Sequence, residues 1–224
     1  MRPADAPPPM LGARGLVGRR GGAAPVDFEL YAGQLLHVRG ANGSGKTSLL
    51  RTLAGLLRPQ AGSVLWRGAD ARRDLPAYHA GMAFLAHGNG LCAELTAAEN
   101  LRYALHVAGT PQAAPRIAET LRGWRLERCA DVPARRLSQG QSRRLALAAI
   151  VLGAKPLWLL DEPDAGLDAP SLAQLHAALQ AHLAAGGAAV VASHREPGTA
   201  AAQTQTLDMD DYADAGHAVA VGVT

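Results

Sequence analysis

The sequence predicts an α/β fold in which a mainly parallel sheet is flanked by helices and interrupted by a helical insertion. Three observations carry this. Short apolar runs alternate with amphipathic stretches along most of the chain, the order expected when parallel strands are joined by helices. Strand signals then disappear over residues 88–138. Finally, the 224 residues include only three Trp, four Tyr and two Phe, although 48% are apolar. A core built largely of Ala, Leu and Val favours helices packed closely on a sheet over an all-β sandwich. The length suits one domain with a small satellite lobe.

The opening MRPADAPPPM has proline where a secretory signal would need a continuous apolar run, and residues 1–10 read as a disordered tail. Apolar runs place strands at residues 26–30, 35–39, 63–66, 81–85, 157–160 and 188–192. Helical patterns cover residues 46–54, 96–108, 114–124, 139–152 and 169–185, the last closed by AAGG. The TPQAAP segment breaks the helical lobe as a short loop. Purely apolar stretches such as LALAAIVLGA fall short of the roughly 18 residues that cross a bilayer.

The formal charge of +3 comes without a basic stripe, so nucleic acid is not an expected partner. Cys92 and Cys129 stand apart with no CxxC or His/Cys cluster, which indicates free thiols and no zinc site. Lysine is almost absent, with only Lys46 and Lys155. Lys46 therefore stands out.

It lies in LLHVRGANGSGKTSLL, which reads as a strand, a glycine-rich turn and a helix start and matches G-x-x-x-x-G-K-[ST]. Across Gly40, Ala41, Asn42, Gly43, Ser44, Gly45, Lys46 and Thr47, the glycines let backbone N–H groups converge on one point at a helix N-terminus. Such a nest holds phosphate, with Lys46 reaching the β- and γ-phosphates of ATP and the Thr47 hydroxyl placed to ligate Mg2+. In PLWLLDEP, Asp161 and Glu162 close an apolar strand at the sheet edge where open α/β folds carry ligands. Asp161 is a candidate for holding Mg2+ through water, and Glu162 for taking the proton of a water attacking the γ-phosphate. RLSQGQSRRLALAAI makes Ser138 an N-cap, with Gly140 and Gln141 in the first helical turn. VVASHR ends a further strand with His194, a hydrogen-bond donor for a phosphate oxygen or the attacking water.

These segments, in this order, resemble the nucleotide-binding domain of ATP-binding cassette proteins over almost the whole chain. GANGSGKT resembles the Walker A element, LSQGQ the signature, LWLLDEP the Walker B strand, AGLD the D-loop that includes Asp168, and His194 the switch histidine. The resemblance implies a P-loop ATPase with N-terminal antiparallel strands beside the parallel sheet. It divides the chain into an ATPase core at residues 11–87 and 139–224 and a helical subdomain at residues 88–138. It also implies a head-to-tail dimer, in which Ser138, Gly140 and Gln141 of one copy act in trans on ATP held by the P-loop of the other. A membrane permease subunit would dock on the helical lobe.

Two departures stand out. Where the family carries a glutamine at the start of the helical lobe, this chain has Gly88, beside His87. The family's adenine-stacking aromatic is missing, with only Arg19 and Arg20 nearby. Loss of that platform predicts modest nucleotide affinity and weak base discrimination. AHGNGLCAELTAAENLRY and the compact length are similar to the ATP-binding subunit of the cytochrome c maturation machinery, the heme exporter. This implies a peripheral subunit on the cytoplasmic face of the inner membrane, without direct heme ligation by the chain. The ATPase of a lipid, lipoprotein or drug exporter, a non-transport soluble cassette ATPase and a nucleotide-gated clamp with little turnover remain alternatives.

Overall fold

The computed structural model describes residues 7–18, 24–110, 115–198 and 203–214. Its centre is a five-stranded parallel sheet built from β3 (Gln34–Arg39), β6 (Met82–Leu85), β7 (Leu157–Asp161), β8 (Ala188–Ala192) and β9 (Gln203–Asp208), in the spatial order β6-β7-β8-β3-β9. A four-stranded antiparallel sheet, β2-β1-β4-β5, lies beside it and contains β1 (Leu11–Val17), β2 (Val26–Leu30), β4 (Ala61–Trp66) and β5 (Ala69–Asp70). The mainly parallel core and the N-terminal antiparallel strands are thus both present.

Every residue of β7 and β8 is buried, as expected when both faces of a parallel sheet are covered. Alternation along the strands sends side chains to two cores. Leu157, Leu159, Val190, Leu36 and Val38 face the core shared with the antiparallel sheet and with α1 (Lys46–Leu53). Trp158, Leu160, Val191 and Leu35 face the other core, formed with α3 (Ala97–Val107), α4 (Arg116–Gly123), α5 (Gln139–Gly153) and α6 (Ala169–Ala184). Two six-residue helices, α2 (Leu75–Ala80) and α7 (Met209–Asp214), complete the fold. Between β6 and α5 the described chain forms helices and turns, with one isolated bridge between Thr96 and Pro133.

Several elements escaped the apolar pattern. β1 reads LGARGLV, and its pairing shifts register between Ala13 and Leu16 around Gly15, so the period-two signal is lost at the bulge. Its partner approaches so closely there that a Cβ at Gly62 would stand 2.2 Å from the Gly15 carbonyl oxygen. β9 is QTQTLD, a polar edge strand parallel to β3, whose Gln203 and Gln205 side chains hydrogen-bond to Gln34. α2 starts from an Asp74 cap and is fixed by Tyr78, whose buried hydroxyl donates to Leu53 O at 2.6 Å. Desolvation raises the Tyr78 pKa well above its usual value. At the N-terminus, Pro9 is buried and Met10 packs against the core shared with the antiparallel sheet.

Candidate functional site

Three adjacent strands of the parallel sheet, β7, β8 and β3, deliver their carboxyl ends to one edge. Each carries a segment singled out in the sequence: Asp161 and Glu162 after β7, His194 beyond β8, and the 40–47 loop after β3. A crevice outside the carboxyl ends of parallel strands is the usual ligand position in open α/β sheets. Here it is a cleft of about 270 Å³ lined by Asn42, Gly43, Gly45, Lys46, Thr47, Ser48 and Glu162.

Gly40, Gly43 and Gly45 all have positive φ, at 141°, 86° and 103°, a region that side chains with a Cβ resist. The conformation leads directly into α1, which has no side-chain cap and no acidic residue in its first turn. Its leading N–H groups are therefore donors for an external anion. Lys46 is buried, and its Nζ donates to Gly40 O at 2.7 Å and to Ala41 O at 3.0 Å. The Ala41 N–H donates in turn to both carboxylate oxygens of Asp210, each at 3.0 Å.

Thr47 Oγ1 donates to Asp161 Oδ1 at 3.2 Å. Asp161 is 1% exposed and its Oδ2 is buried with no hydrogen-bond partner, while burial raises its pKa. A desolvated carboxylate with a free oxygen, next to a threonine hydroxyl, fits a hard cation. Two protein oxygens suit Mg2+, which keeps several waters and takes further ligands from phosphates.

Glu162 follows with φ at 46°, unusual for a non-glycine residue. Two imidazoles bracket its carboxylate: His194 Nε2 lies 3.8 Å from Oε1 and His87 Nδ1 lies 3.8 Å from Oε2. His194 Nε2 also lies 2.8 Å from Asn42 Oδ1, which ties the end of β8 to the glycine-rich loop.

The signature residues line no part of this cleft. Ser138 caps α5 with a full capping box: its side chain accepts the Gln141 N–H at 3.2 Å, and Gln141 Oε1 accepts the Ser138 N–H at 2.8 Å. Gly140 packs on the turn before α6, where a Cβ would meet Gly166 O at 3.2 Å. Asp168 caps α6 by accepting the Ser171 N–H at 3.0 Å, and hydrogen bonding to Ser171 lowers its pKa. Arg19 and Arg20, named above beside the missing aromatic, lie outside the described residues. Asp210 and Arg143 went unremarked as site residues in the sequence; for Arg143, the available signal was its place on the face of α5 that continues through the apolar Ala146 and Leu147.

Comparison with known proteins identifies the family and the fold. The family model described as "ABC transporter" matches residues 23–165. The cytochrome c biogenesis ATP-binding export protein of Bordetella bronchiseptica is 64% identical over 222 residues, covering 99% of this chain and 98% of that protein. Its namesake in Cupriavidus necator is 46% identical over 189 residues, covering 83% of each. Among solved structures, an ATP-binding subunit of an ABC transporter superposes with a TM-score of 0.76 at 26% identity, covering 83% of this chain and 79% of that one. A dimeric ATP-binding cassette in a post-hydrolysis state, bound to ADP and phosphate, shares the fold with a TM-score of 0.75 at 22% identity, covering 89% and 95%. The chain belongs to the ABC transporter family of ATP-binding ATPases, alongside the cytochrome c biogenesis ATP-binding export proteins.

Proposed function

We propose that this chain is the ATP-hydrolysing subunit of a cytochrome c biogenesis export complex, driving transport or release of heme from the cytoplasmic face of the inner membrane. The observation that carries the reading is the meeting, on three neighbouring strands, of the Lys46 loop, the Thr47–Asp161 pair and Glu162. Near full-length similarity to the Bordetella export protein supports the cellular role.

In this reading the backbone from Gly40 to Thr47 cradles the β- and γ-phosphates, and Lys46 turns from its two carbonyls to the phosphate oxygens. Thr47 and Asp161 hold Mg2+, which supplies charge neutralisation at the phosphates when bound. Glu162 takes a proton from the attacking water, and His194 donates a hydrogen bond to a γ-phosphate oxygen or to that water. Ser138, Gly140, Gln141 and Asp168, none of which lines the cleft of its own copy, close in this reading on the nucleotide of a second copy. The dimeric cassettes of the same fold accord with such pairing.

Among the described residues no helix is long and apolar enough to cross a membrane. In this reading the membrane part of the complex is a separate subunit. Its dock is the groove of about 320 Å³ between β6, α3 and α5, where Tyr103 and Val107 are 55% and 67% exposed.

The test is Mg2+-dependent phosphate release by Glu162→Gln. A loss on the order of 10² to 10⁴, with an ATP-trapped dimer, is expected. Undiminished release overturns the assignment. Copurification from membranes with a small multi-span permease is expected for the cellular role, and cosedimentation with ribosomes instead would sink it.

A further inference from the structure

Arg143 sits on the second turn of α5, just past the Ser138–Gln141 capping box, and is only 3% exposed. A guanidinium is costly to bury unless its donors are used. NH1 donates to Ala86 O at 3.1 Å and to Asn89 Oδ1 at 2.9 Å, while NH2 donates to Asp161 O at 2.7 Å and to Glu162 O; only Nε is left buried without an acceptor. Burial lowers its pKa, opposed by the charges of Asp161, Asp164 and Glu162.

The choice of acceptors is informative. Asp161 O belongs to the peptide plane on the N-terminal side of the Glu162 Cα, and Glu162 O to the plane on the other side. One nitrogen thus fixes both planes that define the Glu162 backbone, whose φ of 46° persists in a non-glycine residue only where the surroundings hold it. The other nitrogen fixes the turn at residues 86–89, from which His87 faces Glu162 Oε2. A cavity-filling side chain would need neither the charge nor the fork.

We propose that Arg143 is a positioning residue for hydrolysis: it aims the Glu162 carboxylate and couples it, together with the turn bearing His87, to the helix that begins at Ser138. Closure of that helix end on a partner copy's nucleotide then moves the catalytic carboxylate of the same chain. The inference rests on Glu162 as the base in the proposed function. Lysine cannot replace the fork, because a single ammonium does not span two pairs of acceptors in fixed geometry.

The full chain carrying Arg143→Lys, Asn89→Ala or Glu162→Gln, and the Arg143→Lys/Glu162→Gln double variant, would be compared in steady-state hydrolysis, fluorescent-nucleotide binding and thermal unfolding. Arg143→Lys should lower kcat on the order of 10²-fold, as a displaced reacting group does, with KM and nucleotide Kd within about twofold. Asn89→Ala should lower kcat less, again without a change in KM. In the double variant the Arg143 change should cost little beyond Glu162→Gln alone. Full additivity, equal losses in KM and kcat, or unchanged kcat would overturn the proposal. If Arg143→Lys fails to fold, Asn89→Ala decides, and an unchanged kcat there overturns it. Undiminished release by Glu162→Gln overturns the parent reading and this inference with it, whereas loss by Glu162→Gln alongside unaffected Arg143→Lys removes only the positioning role.

Discussion

Helices α1 and α5 begin in opposite ways. α1 starts from a left-handed glycine with no side-chain cap, and its first turn opens on a cleft beside Lys46. α5 starts from Ser138 with both halves of a capping box made within the chain. The first is completed by something outside the chain, whereas the second is a finished, rigid end that can be presented to another molecule. Ser138 Oγ already accepts the Gln141 N–H, which leaves its own O–H free to donate. In the proposed function the glycine spacing marks the seat of ATP, and the serine cap a surface presented to a second copy.

The sharpest way to break this contrast is Lys46→Ala. Removing the one cation of the α1 cradle should weaken ATP binding on the order of 10²-fold, read by fluorescent-nucleotide titration. ATP should also cease to raise the unfolding temperature.

Asp161→Asn acts on the same cleft through stability. Burial raises the folded pKa of Asp161 above its unfolded value, so its contribution to stability is fully present only below the unfolded pKa and is lost as pH rises through the folded one. At neutral pH the charged form is thus a burden in the nucleotide-free protein. Asp161→Asn should melt higher than the parent there, a difference that shrinks on acidification and that Mg2+ with ATP reverses.

On the α5 side, Ser138→Ala should cost about 1 kcal/mol of stability in a denaturant titration. Nucleotide binding should remain while hydrolysis falls, which sets it apart from Lys46→Ala. The smallest effect concerns the base: competition between ATP and GTP should give affinities within about threefold, because no aromatic side chain is among the described residues lining the cleft.

How much of this was legible depends on what each element is made of. The 40–47 loop was readable because phosphate chemistry dictates its residue types and spacing, and α1 follows from it. β7 and β8 were readable because burial on both faces leaves apolar residues throughout, except for Asp161 at the end of β7. β1 was hidden by its bulge at Gly15, and β9 by the polar composition that an edge strand tolerates. Residues 81–85 read as a strand one position early, because Gly81 ends α2 before β6 begins. The links from Arg143 to Glu162 and from Asp210 to Ala41 join segments far apart in sequence through backbone atoms, which every residue possesses and no motif records. The arginine pair at 143 and 144 looked alike on paper, yet one guanidinium is buried at the site and the other hydrogen-bonds to Trp124 O and Arg125 O.

The Asp210–Ala41 contact spans 169 positions, and β9 joins β3 over a similar interval. A ribosome making this chain releases the phosphate-gripping loop early, but the strand that borders it and the carboxylate that pins its first peptide emerge some 160 residues later. Domains fold as units during synthesis, and pairings this distant must await the second partner. The nascent polypeptide therefore lacks both the β9 edge and the Asp210 contact to the 40–47 loop until translation has passed residue 210.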